Sequence, residues 1–402
     1  MKALAGVILG LSLAPWLGAA AAEQEIDAYT RYELLAPDSG KFRIIYDVTA
    51  ARPGAAAYFN PIRKGSIASD ESVTDRATGK PLKFKIVSGK DAKQHGLPEA
   101  DPDTDYIEVT LTHPVPAHDG QGRIRIEKTY QDGKSYHLDG QDIVFDRPLG
   151  VKKNAVVLPL HYALVACNYP SQIEREADGR VKISFFNITP AEAPLKLRAR
   201  PSTALDEGEA KTPGKFSERA AQTRDIVYFL NDPSTHSFDL YHDYTEERVE
   251  TGMYVNVVRT GSTASNPSAV NLDTGEKLTA EHLKGDEITK AGVKDEELGE
   301  VTPQTEVVLF RFAPVQTGQS VRLRMSETYT DPKSYQFIGG EIYFERSFGR
   351  AKNAVVLPKG YVPTNSSIPA VVTETEDGRI RMDFDNPRPD EVAVTFTARK
   401  AR

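Results

Sequence analysis

Apolar and polar residues alternate in short runs along this chain, and they rarely recur at helical spacing. Phe42-Arg43-Ile44-Ile45-Tyr46-Asp47-Val48 alternates well enough for a half-buried strand. Tyr106 to Leu111 and Gly122 to Tyr130 carry β-branched residues at period two and are the clearest strands. Tyr58 to Ile62 reads as a strand that Pro61 confines to an edge or a bend. Turn residues separate these runs: Ala77-Thr78-Gly79-Lys80 within 72–82, Asp139-Gly140, and Asp178-Gly179 joining 171–176 to 181–186. Leu195 to Ala199 closes the set. Helical expectation is limited to 216–222 and 279–284. Short strands between Gly, Pro and Asp turns predict an all-β fold made of sandwiches, because a lone sheet leaves its apolar face in water.

The pattern occurs twice. TYQDGKSYHLDGQDIVFDRPLGVKKNAVVLP at 129–159 returns without a gap as TYTDPKSYQFIGGEIYFERSFGRAKNAVVLP at 328–358. Phe42 to Asp47 matches Phe238 to Asp243, Tyr58 to Ser66 matches Tyr254 to Ser262, and the Asp178-Gly179-Arg180 turn reappears at Asp377 to Arg379. Roughly two residues in five agree over the whole unit, so one module has been duplicated. The expectation is two tandem duplicated β-sandwich domains, 23–200 and 225–402. The stretch 201–224, rich in Pro, Gly, Glu, Lys and Ala, is expected to be an exposed linker.

Residues 1–22 read as a signal peptide. Lys2 gives a positive start, Ala3 to Leu17 an apolar run, and Ala20-Ala21-Ala22 a small-residue cleavage site. The expectation is therefore export, periplasmic or extracellular, with no transmembrane segment in the mature chain. A net charge of −7 lacks the basic footprint that neutralises phosphates, which argues against nucleic acid as partner. Cys167 is the one cysteine, so no internal disulfide forms; its counterpart is Ser366.

Few motifs carry chemistry. Asp132-Gly133-Lys134-Ser135 and Asp331-Pro332-Lys333-Ser334 brush against the phosphate-loop pattern and fail it, since Lys128 and Glu327 stand where its first glycine belongs. Asp101, Asp103 and Asp105 alternate like the opening of a calcium loop, but Tyr106 and Thr112 replace the glycine and the closing carboxylate of an EF-hand. A looser calcium site there is the one cofactor expectation; otherwise none is expected. His236 and His242 are six apart on one strand face that also holds Phe238 and Leu240, a burial pattern more than a zinc site. H-E-x-x-H, G-x-S-x-G, C-x-x-C and G-x-G-x-x-G are all missing. The repeated tyrosines, Tyr136 and Tyr335 among them, suit either a core or a sugar-stacking platform. Arg147, Lys153 and Asn154, repeated as Arg346, Lys352 and Asn353, flank a glycine bend; an Arg fork there clamps a loop carboxylate or holds an anionic ligand.

The NAVVLP segment at 154–159, with the DGR turn and the closing R-A-R, resembles a group of exported bacterial proteins of unknown function. The strand and turn rhythm is more distantly similar to the non-catalytic N-terminal β-domain of M1-type metallopeptidases; that likeness brings no active site, since the zinc-binding helix pattern is absent. The functional expectation is a non-catalytic envelope or secreted protein binding a protein or polysaccharide through two modules. The alternatives are a hydrolase with acidic residues in a cleft, with Glu127, Asp142 and Asp146 in the strand-rich region, and an accessory pair docking on an envelope peptidase or transporter.

Overall fold

A computed structural model describes residues 27–202, 217–293 and 298–401. The expected signal peptide, 1–22, and most of the expected linker lie outside these. The regular structure of the described residues is almost wholly strand, in six sheets, and no sheet mixes strands from the two copies. No helix among the described residues is long and apolar enough to cross a membrane.

The first copy has a large seven-stranded sheet in the order Gln172–Arg175, Val181–Phe186, Lys153–Val157, Tyr29–Leu34, Lys41–Ala50, Gly122–Gln131 and Ile67–Asp75. Its one parallel pair joins Tyr29–Leu34 to Lys153–Val157. Two small sheets pack on one face. The four-stranded one contains Tyr162–Cys167, Ala193–Pro201, Asp142–Leu149 and Tyr136–Asp139; the three-stranded one contains Ala57–Pro61, Asp105–Thr110 and Phe84–Ser88. Each makes its own core against the large sheet. Phe42, Ile44 and Tyr130 meet Phe145, Leu195 and Leu197 in the first, and Val48, Ile124 and Ile126 meet Ile107 and Val109 in the second. The second copy repeats the arrangement, with Lys277–Leu278 added at the edge of its large sheet.

The apolar run from Ala155 to Leu158 is continuous because its strand is covered on both faces, as parallel strands usually are. Residues 217–223 help to cover the outer face. Glu218 takes the Tyr29 hydroxyl and the Lys182 ammonium, the Gln222 carbonyl accepts from Lys153, and Arg219 donates to the Asn386 and Gly349 carbonyls of the second copy. This part of the expected linker is docked, and 217–222 form no helix. The other expected helix is instead a strand, Ala280–Lys284, because Leu283 faces Val307 across a ladder and packs in an apolar cluster.

The copies meet along a polar seam. Gln121 N donates to Leu272 O at 2.7 Å, and Ser320 Oγ, at the matching position of the other copy, donates to Arg76 O at 2.7 Å. These contacts exchange when the copies are exchanged, as about a twofold axis. Arg123 grips both Asp273 carboxylate oxygens at 2.6 and 2.8 Å. Lys153 lies 3.2 Å from Asp27 and 3.6 Å from Asp225. Burial pushes the Asp27 carboxyl up, but Lys153, Arg322, Arg76 and Arg123 together hold it far below the usual carboxylate range.

Candidate functional site

The long strands of the large sheet outrun either small sheet, and a gap is left where one core gives way to the other. Lys41–Ala50 sends Phe42 and Ile44 into the first core and Val48 into the second; Gly122–Gln131 does the same with Tyr130 and Ile126. Lys128 stands between them. The gap is a cavity of about 700 Å³, with Thr30, Ile44, Tyr46 and Lys128 as floor, Asn60 and Pro61 on one side, and Arg147 to Gly150 on the other. The second copy holds a cavity of about 570 Å³ with Ile226, Leu240, His242 and Glu327 below, Asn256 and Val257 on one side, and Arg346, Ser347 and Gly349 on the other. Each of these residues occupies the matching place in the repeat: Thr30 and Ile226, for example, pair with Asn154 and Asn353. The site is one cavity built twice.

Its floor changes sign between copies. Lys128, only 4% exposed, donates from Nζ to Asn60 Oδ1 at 2.5 Å and stands 4.8 Å from the centre of the Tyr130 ring. Burial pushes its ammonium down to about 7; the Arg147 charge adds to this and Glu71 opposes it. Glu327 occupies the same place and accepts from Asn256 Nδ2. Burial lifts its carboxyl to about 7, against the Asn256 hydrogen bond and the Arg346 charge. One asparagine position thus offers its carbonyl to a cation in one copy and its amide hydrogens to a carboxylate in the other. Burial also holds the His242 imidazole well below its ordinary value, with Arg224, Arg350 and Arg346 adding to the effect.

Of the residues singled out in the sequence, Arg147, Arg346 and Asn353 line these cavities. Both arginines also clamp a turn, reaching Asp132 and Asp331 at 3.2 Å. The Arg147 guanidinium lies 5.5 and 5.6 Å from the Phe42 and Tyr130 rings. Asn154 and Asn353 donate to the Val151 and Arg350 carbonyls, and their own buried Oδ1 atoms have no partner among the described residues. Lys153 belongs to the seam, and Lys352 reaches Asp383 at 3.4 Å. Tyr136 and Tyr335 are fully buried, with hydroxyls donating to the Leu35 and Asn231 carbonyls; they form no exposed platform.

The three aspartates of the calcium expectation lie at one loop but do not converge. Asp101 spends its carboxylate on its own turn and on Lys64, accepting from Asp103 N at 2.9 Å and Lys64 Nζ at 2.9 Å. The Asp103 amide, then Lys64 and Thr104, hold it down at about 2. Asp103 and Asp105 do not join it, and no group of three or more metal-ligating side chains gathers among the described residues. His236 is in a left-handed cap before the strand that holds His242, so the two do not share a strand face. Glu127, Asp142 and Asp146 pair with Arg43, Arg198 with Arg200, and Lys196 instead of converging.

Sequence reasoning did not single out Thr30, Asn60 or Tyr46 with Tyr130 as one site. The available signal was the reversal of charge from Lys128 to Glu327 inside a stretch otherwise closely matched.

No family model and no curated protein matches the chain. Among solved structures it is similar to an M1 zinc metallopeptidase from Deinococcus radiodurans, at 14% identity and a TM-score of 0.29 over 43% of this chain and 41% of that one. An aminopeptidase N family protein from Idiomarina loihiensis matches at 10% identity and a TM-score of 0.28, over 43% of this chain and 29% of that one. A putative nutrient binding protein from Legionella pneumophila matches at 9% identity and a TM-score of 0.26, over 44% and 66%. The chain thus spans about two-fifths of the length of the Deinococcus enzyme.

Proposed function

We propose that this chain is an exported, non-catalytic binding protein of the cell envelope that engages a macromolecular partner, protein or polysaccharide, through both copies. The observation that carries this reading is the pair of matching cavities, each walled by side chains from three sheets. Two sites on one body raise the effective concentration at the second once the first is filled, provided the partner spans both. The pairing of Glu127, Asp142 and Asp146 with separate cations favours binding over an acidic-residue hydrolase.

Gly150 and Gly349 line the two cavities, and a side chain at either first meets a flexible glutamate, Glu192 or Glu391. Gly150→Trp and Gly349→Trp therefore obstruct one cavity each. A partner captured from envelope extract by the full chain is purified and titrated against both variants and their combination. Each single variant is expected to dissociate faster, and the double variant to lose about 10²-fold or more in affinity. A double variant that binds like the unaltered chain overturns the reading.

A further inference from the structure

The two cavities share a shape but not a chemistry: their floors differ at Lys128 and Thr30, and Tyr46 and Val151 of the first give way to His242 and Arg350 in the second. Lys128 brings an ammonium group with three donors to the first cavity, and the Asn60 amide, a neutral group, accepts one of them. Glu71 is the acid whose charge reaches Lys128, and it makes no ion pair or hydrogen bond with it. Arg147 shares the Tyr130 ring with Lys128, so two cations stand beside one aromatic ring in the cavity wall. Thr30, 1% exposed, lines the same cavity, and its Oγ1 has no hydrogen-bond partner among the described residues. Arg147 is already paired with Asp132, so the group left without a counter-charge is Lys128; a buried ammonium beside a spare hydroxyl is costly and is completed by an anion. At the matching places the second cavity has Glu327 and Ile226, an acid and a hydrocarbon. Tyr32, Tyr46, Ile44 and Leu149 give the first cavity an apolar and aromatic wall, while Arg63, Lys152 and one acid, Glu192, complete its charged lining.

We propose that the first-copy cavity binds an anionic head, carboxylate or phosphate, carried on an apolar or aromatic body, with Lys128 and Thr30 as the specific donors, and that the second-copy cavity does not. The head sits against the Lys128 ammonium and the Thr30 hydroxyl, while the body lies among the tyrosines. This deepens the reading of the chain as a binding protein and rests on it: the first copy takes an acidic group of the partner, and the second takes something else.

The test uses the full chain and calorimetric titration with benzoate and phenyl phosphate, with benzamide and benzylamine as the neutral and cationic isosteres and inorganic phosphate as the bodiless anion. The expected result is one site per chain for benzoate or phenyl phosphate at up to about millimolar concentration, with the isosteres and inorganic phosphate at least about tenfold weaker. Lys128→Met, which removes a buried charge, and Thr30→Ile, which copies the second cavity, each lower the affinity for the anion by about tenfold or more. Glu327→Gln leaves it unchanged. The inference is overturned if benzamide binds as tightly as benzoate, if Lys128→Met retains the affinity, or if no anion binds. Failure of the anions while Gly150→Trp still weakens partner binding overturns this inference alone. Benzoate binding with a partner indifferent to both tryptophan variants overturns the proposed function instead.

Discussion

A single repeated position, Lys128 in one copy and Glu327 in the other, gives each cavity its ionisable floor, and in both cases burial works against the charged form. The consequences for stability have opposite signs. Glu327 has a folded value of about 7 against an ordinary value of 4.5, so the native state holds a proton that the unfolded chain releases over that interval. Its contribution is full below about pH 4.5 and is lost as the pH rises through about 7. Glu327→Gln removes this loss, so the variant should gain stability over the unaltered chain above about pH 7 and match it more closely near pH 4. Urea midpoints across that range check it, and a constant offset at all pH values refutes the assignment. Lys128 runs the other way: its ammonium must lose a proton above about 7 that the unfolded chain keeps to about 10, so its penalty eases as the pH rises through that interval.

The turns explain how the copies fit together. Thr78-Gly79 and its repeat Thr274-Gly275 each rest on a loop of the other copy. Gly79 has φ +70°, where only glycine is at ease, and a Cβ there would press into the Gly318 carbonyl oxygen. Gly275 has φ +77°, but its Cβ would meet the Pro116 side chain at 3.2 Å, which can yield. Gly79→Ala should therefore cost about 2–4 kcal/mol and Gly275→Ala about 1–2 kcal/mol. Thermal unfolding of the two variants tests the ordering, and equal losses would show that backbone strain alone is at work. The Ala280–Lys284 strand teaches a related lesson about short segments. Five residues with Leu283 as the one large apolar side chain suit either a helix or a strand locally, and the Glu306–Arg311 neighbour decides between them.

At the scale of the molecule, the two copies keep separate apolar cores and meet through charge. Arg123 is the central tie, with a wholly buried side chain and both Asp273 oxygens in its grip. Arg123→Ala leaves that carboxylate unpaired at the seam and should cost about 3–5 kcal/mol. It should also turn one unfolding transition into two, as the copies lose their coupling; a single unshifted transition by calorimetry would count against an energetic role for the seam. An ionic seam of this kind orients the two cavities relative to each other, which is what a partner spanning both requires.

The sequence by itself determined the class of the fold, the duplication and most strands, because alternation and turn chemistry are local and are written twice here. It also marked Arg147, Arg346 and Asn353, which line the cavities. Only the tertiary structure decided the rest. Thr30, Asn60, Lys128 and Arg147 come from strands in three different sheets, so no spacing along the chain brings them together. The acidic run at Asp101 went the other way: its spacing suggests ligands, but the folded loop turns those oxygens onto its own amides and a neighbouring lysine. Periodicity reports which face of a strand is buried, and it carries no information about which buried faces meet across a gap.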